Sequence, residues 1–261
     1  NTMQWSGGVK FAAIGKDNRF IREDYIGGAW IKDTLVSNHF RYDEKLLMLY
    51  AAIEKTFGKT AVTAGLRAEE TFSKGISLTS GEGFDRSFTD LFPSFFLRHS
   101  LKAPKGNGIH FSYSRRIVRP GFRELNPYSL QFDNHTIMLG NPLLLPQYTH
   151  ALETGFEWLH KYMATLYYSV TNHVIGQLAS PVAGNIIEYQ YKNLDKNREY
   201  GVTITVPVTL LKKWQITNNL LAYQSEMKIK NNRLKQSTLA VKTAHFISLK
   251  KLADIELIAE Y

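Results

Sequence analysis

Residues 44–72 read EKLLMLYAAIEKTFGKTAVTAGLRAEETF, and the second half of this stretch decides the fold. In 62–69, Val62, Ala64, Leu66 and Ala68 alternate with Thr63, Gly65, Arg67 and Glu69, which is the period of a half-apolar strand. The first half fits two patterns. Leu46, Leu47, Leu49, Tyr50 and Ile53 lie at helical spacing, whereas Leu47, Leu49, Ala51 and Ile53 share one face of a strand. A connection of only three residues, Phe57, Gly58 and Lys59, joins the halves, and the strand reading of the neighbour carries over to 44–56.

The same alternation recurs outward in both directions. Ile109, Phe111 and Tyr113 oppose His110, Ser112, Ser114 and Arg116. Leu152, Thr154, Phe156 and Trp158 oppose Glu153, Gly155 and Glu157. Ala164, Leu166, Tyr168 and Val170, then Val202, Ile204, Val206 and Val208, then Ile255, Leu257, Ala259 and Tyr261 continue it. A soluble sandwich would bury the apolar face as its core. A membrane barrel turns that face to lipid and its polar face to a wet lumen. Strand length favours the barrel, because soluble strands average about 5–6 residues and membrane strands need about 9–11.

Connection lengths argue further. Strands are expected at 3–14, 44–56, 60–72, 88–102, 107–119, 147–159, 163–175, 198–209, 213–229, 236–249 and 252–261. The connections at 57–59, 103–106, 160–162, 210–212 and 250–251 are short. Those at 15–43, 73–87, 120–146 and 176–197 are long, and 230–235 is modest where a long one is due. Short turns at one rim and long loops at the other describe an outer-membrane barrel. The expectation is an all-β, antiparallel transmembrane β-barrel. Its eleven or so strands form part of a larger one, since bacterial single-chain barrels have even strand numbers. Residues 1–261 then belong to one barrel domain. Tyr261 is expected to be a cut point, with the remaining strands outside this chain, because open sheet edges are costly in lipid.

Composition is compatible. Hydrophobic residues make up 44% and charged residues 21%, which excludes a disordered tail. The absence of cysteine excludes a disulfide scaffold, a thiolate zinc site and a Cys nucleophile. No apolar run is long enough for a transmembrane helix. The net charge of +9 is spread along the chain, with short groups at Arg115, Arg116 and Arg119 and from Lys228 to Lys235. Diffuse positive charge equally suits a surface facing lipid phosphates, and no nucleic-acid partner is expected.

A joint motif series covers most of 44–225. It comprises Ala64-Gly65-Leu66-Arg67-Ala68-Glu69, Leu91-Phe92-Pro93-Ser94, Phe111 to Pro120 with Arg115, Arg116 and Arg119, Glu124-Leu125-Asn126-Pro127-Tyr128, Gly140-Asn141-Pro142 through Pro146-Gln147-Tyr148, Tyr191-Lys192-Asn193-Leu194 and Tyr200-Gly201. The series resembles TonB-dependent receptors, in particular the outer-membrane beta-barrel family abundant in Bacteroidetes. Gln147 departs from it, since the family usually places Glu before the Tyr. The resemblance implies a receptor and transporter barrel in the bacterial outer membrane that takes up a scarce nutrient. It also implies a whole barrel of about 22 strands, with an N-terminal plug, a TonB box and the closing strands outside this chain, the TonB complex as partner, outer-membrane lipid and lipopolysaccharide around the wall, and a possible surface lipoprotein. It does not name the solute. An adhesion or secretion barrel without TonB energy is the alternative, and a soluble all-β binding module is a third class.

The residues themselves yield local expectations. Pro93, Pro120, Pro127, Pro142 and Pro146 are assigned to strand ends or to the 120–146 loop, where no ladder donor is needed. Gly140-Asn141-Pro142 is a turn signal. Arg115, Arg116 and Arg119 are expected to lock the 120–146 loop against lumenal carboxylates such as Glu153 and Glu157 rather than to contact ligand or lipopolysaccharide phosphate. Glu54, Arg67 and Glu69 form a lumenal charge set. Trp5, Trp158, Trp214 and Tyr162 fit an interfacial girdle. His110, Ser112 and Ser114 share a face, but no nucleophile turn accompanies them, and no catalytic residues are assigned. Eight scattered histidines show no ligand spacing, so no metal site and no cofactor are expected. Gly7-Gly8 and Gly27-Gly28 lack the strand-to-helix context of a phosphate loop. The 15–43 and 120–146 loops are expected to serve in capture or as a lid.

Overall fold

A computed structural model describes residues 3–33, 37–101, 106–133, 135–182, 184–210, 213–248 and 254–260. The expected end at Tyr261 and the tips 103–105, 211–212 and 250–251 lie outside the described residues. In chain order the elements are β1 (Met3–Phe20), β2 (Glu23–Ile26), β3 (Ala29–Lys32), β4 (Asn38–Phe57), β5 (Thr60–Ser77), β6 (Gly83–Ser100), β7 (Gly108–Val118), α1 (Phe122–Leu125), β8 (Ser129–Asp133), β9 (Thr136–Leu139), β10 (Gln147–Trp158), β11 (Tyr162–Val182), β12 (Ile186–Leu210), β13 (Trp214–Ile229), β14 (Asn232–Ser248) and β15 (Asp254–Glu260). Among the described residues eleven strands form one antiparallel path, β1-β4-β5-β6-β7-β10-β11-β12-β13-β14-β15. Each of the eleven expected strands is found on it, and 44–56 is strand throughout. β1 and β15 do not pair with each other, so the sheet is open and corresponds to part of a barrel.

The polarity of this sheet is inverted relative to a soluble protein. Trp5 is 72% exposed, Val9 69%, Leu166 60% and Leu239 68%, while Glu69 is 3% and Asp90 7% exposed. Register places the apolar set on one face: Val9 stands opposite Leu49, Leu49 opposite Ala68 and Ala68 opposite Leu91. None of Val202, Ile204, Val206 and Val208 is buried, so no second layer of the described residues covers that row. Exposed apolar side chains on a continuous face, with charge buried behind it, mark a surface solvated by hydrocarbon.

Curvature follows from the 119–146 connection. Leu125 and Leu144 are completely buried against Phe40 and Tyr42 of β4, and Ile175 of β11 and Tyr191 of β12 pack on the same cluster. In a flat sheet β4 and β12 would stand about 29 Å apart, six strand spacings of about 4.8 Å. One small cluster touches both, so the wall wraps around this segment and the face it touches is the lumen.

Two expected long connections are not loops. β5 and β6 pair up to Ile76 and Gly83, and β11 and β12 pair up to Val182 and Ile186. What was expected as loop at 73–87 and 176–197 is therefore mostly paired strand rising above the membrane; β12 alone runs 25 residues. β13 and β14 likewise meet in a two-residue turn between Ile229 and Asn232, which replaces the expected 230–235 connection. The asymmetry of the rims persists as strand extension on one side. The 15–43 connection shrinks to 21–37 and holds the β2–β3 hairpin, turned by Gly27 and Gly28 at positive φ.

Candidate functional site

The lumenal wall carries two arginine–carboxylate seams. Glu69 of β5 forms an ion pair with Arg67, whose Nε lies 2.6 Å away, and accepts from Arg119 Nη2 at 2.5 Å, and Arg119 also donates to Thr71 Oγ1 at 2.9 Å. Asp90 of β6 pairs with Arg115 Nη2 at 3.2 Å and accepts from the Tyr148 hydroxyl at 2.8 Å. Phe92 lies between the seams, with the Arg67 guanidinium 4.7 Å and that of Arg115 5.3 Å from its ring centroid. The two carboxylates are shielded from water, and there charge-assisted bonds are strong and an unpaired partner is costly.

Pro93 explains why Arg115 is needed there. It lies inside β6 rather than at a strand end, and the β6–β7 ladder stops beside it, at Ser94 and Ser114. Proline supplies no N–H to a ladder. Above that point Arg115 donates to the carbonyl of Leu91 and so serves the strand edge that β7 leaves open.

The segment between β7 and β10 is the second part of the site. Pro120 and Pro146 are buried at its two ends. Asn126 Oδ1 accepts from Asn38 Nδ2 at 2.9 Å, and Arg86 Nη1 donates to the Leu144 carbonyl at 2.5 Å. On the opposite wall Asn141 Nδ2 donates to the Tyr191 carbonyl at 3.1 Å, and Asn193 exchanges two bonds of 2.8 Å with the backbone of Leu145. β9 adds parallel to β12 from Thr136 opposite Ile187 to Leu139 opposite Gln190. Gln147 Oε1 accepts from the Ile175 N–H at 2.9 Å, a task for an oxygen acceptor that needs no charge.

Between this segment and β1 a cleft of about 520 Å3 opens at the upper rim, lined among others by Asn18, Phe122, Arg123, Tyr128, Phe132 and Tyr191. Burial pushes the Tyr128 hydroxyl up from its ordinary value of 10.0, and that hydroxyl has no hydrogen-bond partner among the described residues. Phe132 is 73% exposed. Below it, a lumenal cleft of about 470 Å3 is lined by Lys10, Tyr50, Arg67, Phe92, Ser114 and Arg116.

The expected residues divide accordingly. Arg115, Arg119, Arg67, Glu69 and Tyr148 converge on the two seams, and Asn126, Gly140 and Asn141 fasten the loop. Pro127 and Pro142 lie half-buried in that loop. The expected ionic partners were wrong: Arg119 goes to Glu69 and Arg115 to Asp90, while Glu157 pairs with Arg98 at 2.7 Å and His160 at 3.1 Å near the lower rim. The strand direction accounts for this, since Glu153 and Glu157 lie progressively farther down β10 from the loop. Neither Arg116 nor Glu153 makes an ion pair among the described residues. Glu54 stands opposite Thr63, far from Arg67, and does not join the charge set. His110 stacks on Phe96, with centroids 6.5 Å apart. Trp158 and Tyr162 meet at 5.2 Å across the lower turn, as a girdle pair would. Asp90, Arg86 and Asn38 were not singled out; Asp90 sits three residues before Pro93, and an acid beside a ladder-breaking proline was the available signal.

No curated protein matches the chain in sequence. Its fold is similar to that of the copper transporter OprC, with a TM-score of 0.67 at 12% identity, over 100% of this chain and 45% of that one. It is similar to the FrpB iron transporter from Neisseria meningitidis, with a TM-score of 0.55 at 12% identity, over 84% of this chain and 33% of that one. A third likeness is to the Serratia marcescens hemophore receptor HasR, solved with its hemophore HasA and heme, with a TM-score of 0.55 at 10% identity, over 98% and 60%. The chain thus spans less than two thirds of each of these proteins. A family model matches residues 1–261 throughout, and with the inverted sheet and antiparallel path it shows that the chain belongs to the outer membrane protein beta-barrel family.

Proposed function

We propose that this chain is wall and mouth of an outer-membrane receptor that takes up a scarce nutrient, of the TonB-dependent kind found in Bacteroidetes. The observation that carries the reading is the inward-folded 119–146 segment. It is fastened to β4 and β6 on one side and to β11 and β12 on the other, and it holds an aromatic cleft with the exposed Arg123 at the rim. A wall that served only adhesion would have no need to build its mouth from both sides of the lumen. The fold likeness to proteins described as a copper transporter, an iron transporter and a hemophore receptor supports the same reading. The work is binding and passage rather than catalysis. A plug and TonB box in the complete polypeptide couple it to the TonB complex, and a surface lipoprotein is a candidate partner at the rim.

Growth of the host on limiting nutrients tests this. Cells carrying the full-length protein should outgrow a gene deletion in at least one nutrient-limited medium, and loss of TonB should erase that advantage. An advantage that survives loss of TonB would reject energised uptake. Removing 120–146 should abolish the advantage while the protein still migrates as a folded barrel in unheated detergent gels.

A further inference from the structure

The lipid-facing side of β12, β13 and β14 ends in a group of cations unrelated to the lumen. On β12 the outward row runs Val208, Val206, Ile204, Val202 and Tyr200, and then changes to Arg198 and Lys196. From Leu210 to Tyr200 the strand climbs about 33 Å at ~3.3 Å per residue, or about 25 Å of height at a tilt near 40°, which is the height of an apolar band. Tyr200 is bonded to Gln224 across the strand gap and marks the upper boundary. The next register rows are Arg198–Glu226–Lys235 and Lys196–Lys228–Arg233. Three cations therefore stand side by side on adjacent strands, an arrangement that costs stability unless something negative joins them.

Local carboxylates do not satisfy the group. Glu226 gives its oxygens to Arg233 at 3.3 Å and Lys235 at 3.8 Å, and Asp195 reaches Lys228 only at 4.0 Å. Arg198 faces Glu226 in register and is left without an ion pair, as is Lys196, among the described residues. The side chains of Asp195, Lys196, Arg198, Glu226, Lys228 and Arg233 enclose a cleft of about 200 Å3, large enough for a phosphate group. The rim is the one with extended strands, which in this family of barrels faces the cell exterior.

We infer that this cleft is a binding site for the phosphorylated headgroup of an outer-leaflet glycolipid, whose acyl chains lie along Val202, Leu220, Leu239 and Val241 directly below. The position selects the occupant. A soluble anion would not need the apolar band beneath the cations, and a phospholipid of the periplasmic leaflet would sit at the opposite rim. Arg198 supplies a planar fork for two phosphate oxygens, while Lys196 and Lys228 act as point charges.

The test uses the full-length protein in detergent micelles, titrated with diphosphorylated lipid A and read by native mass spectrometry. The wild type should retain at least about tenfold more lipid A than the combined variant Lys196→Gln, Arg198→Gln, Lys228→Gln and Arg233→Gln. Dephosphorylated lipid A should be retained no better by the wild type than by that variant. Lys213→Gln at the opposite rim should behave as wild type. Equal retention of diphosphorylated lipid A by wild type and the combined variant overturns the inference. Displacement of the lipid by millimolar inorganic phosphate, or equal retention of phosphatidylglycerol, overturns the assignment to a glycolipid. Heat-modifiable gel migration of the combined variant establishes that a loss reflects the site, and restoring Arg198 alone in that background should recover part of the retention.

Discussion

The carbonyl oxygen of Asn126 occupies the place that a side chain at Gly140 would need: a Cβ there would stand 1.9 Å from it and 3.0 Å from the Arg123 carbonyl. Two distant points of the 119–146 segment are thereby pressed backbone to backbone. The adjoining Asn141 N–H donates to the Glu124 carbonyl at 2.6 Å, which closes the segment on itself.

Gly140→Ala should therefore unseat the segment without unfolding the wall. Backbone atoms cannot yield as a flexible side-chain tip would, so the penalty should reach about 1–3 kcal/mol or more. Limited proteolysis of the full-length protein should show new cleavage within 120–146, with unchanged migration of the folded barrel in unheated gels. Protection equal to wild type would show that the close approach is dispensable.

A second prediction concerns Asp90, which holds both Arg115 and Tyr148 in a shielded seam. Asp90→Ala strands a guanidinium and a hydroxyl and should cost about 3 kcal/mol, the lower end for breaking a buried pair, because Arg115 retains some exposure. Arg115→Lys should not rescue function at that position. A lysine cannot donate to the Leu91 carbonyl and the Asp90 carboxylate while stacking on Tyr148, whose ring centroid lies 4.6 Å from the guanidinium. Urea unfolding in detergent of the single and double variants gives the coupling directly. Additive losses would mean that the two residues act independently.

The wall was legible in the sequence because the bilayer imposes it. Val202 to Val208 alternate since one side meets hydrocarbon and the other water. Residues 176–197 carry no such alternation, because both faces of the β11–β12 extension meet water above the membrane, and a paired strand there looks like a loop. Gly184 and Asn185, both at positive φ, were the readable sign of its hairpin. The seams were legible in part. Arg67 and Glu69 stand two residues apart on one face and were seen together, whereas Arg115–Asp90 joins residues 25 positions apart across a broken ladder. Only the register, and the stop at Ser94, determines that pair.

Acid should loosen the top of β1 before the rest of the wall. The hydrogen bond with His39 Nε2 at 2.7 Å, and then that from Arg41 Nε at 2.9 Å, hold the Asp17 carboxyl below its ordinary 3.8. A folded-state value lower than the unfolded one contributes stability in full above the unfolded value. That contribution is lost as pH falls through the folded one. Hydrogen exchange of residues 15–20 and 38–43 should therefore accelerate below about pH 4 relative to residues 5–10. In Asp17→Asn the two regions should respond alike, and an unchanged difference in that variant would assign the acid step elsewhere.

The mouth cleft supplies the last prediction. Its aromatic lining leaves Phe132 largely in water and the Tyr128 hydroxyl buried without a partner among the described residues, two conditions that cost free energy unless a ligand relieves them. A solute that lies on Phe132 and accepts from Tyr128 would relieve both. Phe132→Ala and Tyr128→Phe should then each reduce uptake, the first through lost apolar contact and the second through one lost hydrogen bond of about 1 kcal/mol, or roughly fivefold in affinity. The loop fasteners stay intact in both, since neither side chain bonds Asn38, Tyr191 or Asn193. Competitive growth against wild type, in a medium where the gene confers an advantage, reads the effect. Tyr128→Phe has a second use. If the hydroxyl served only loop stability, removing an unpartnered buried group would stabilise the segment and leave growth unchanged, and the cleft would lose its claim to the solute.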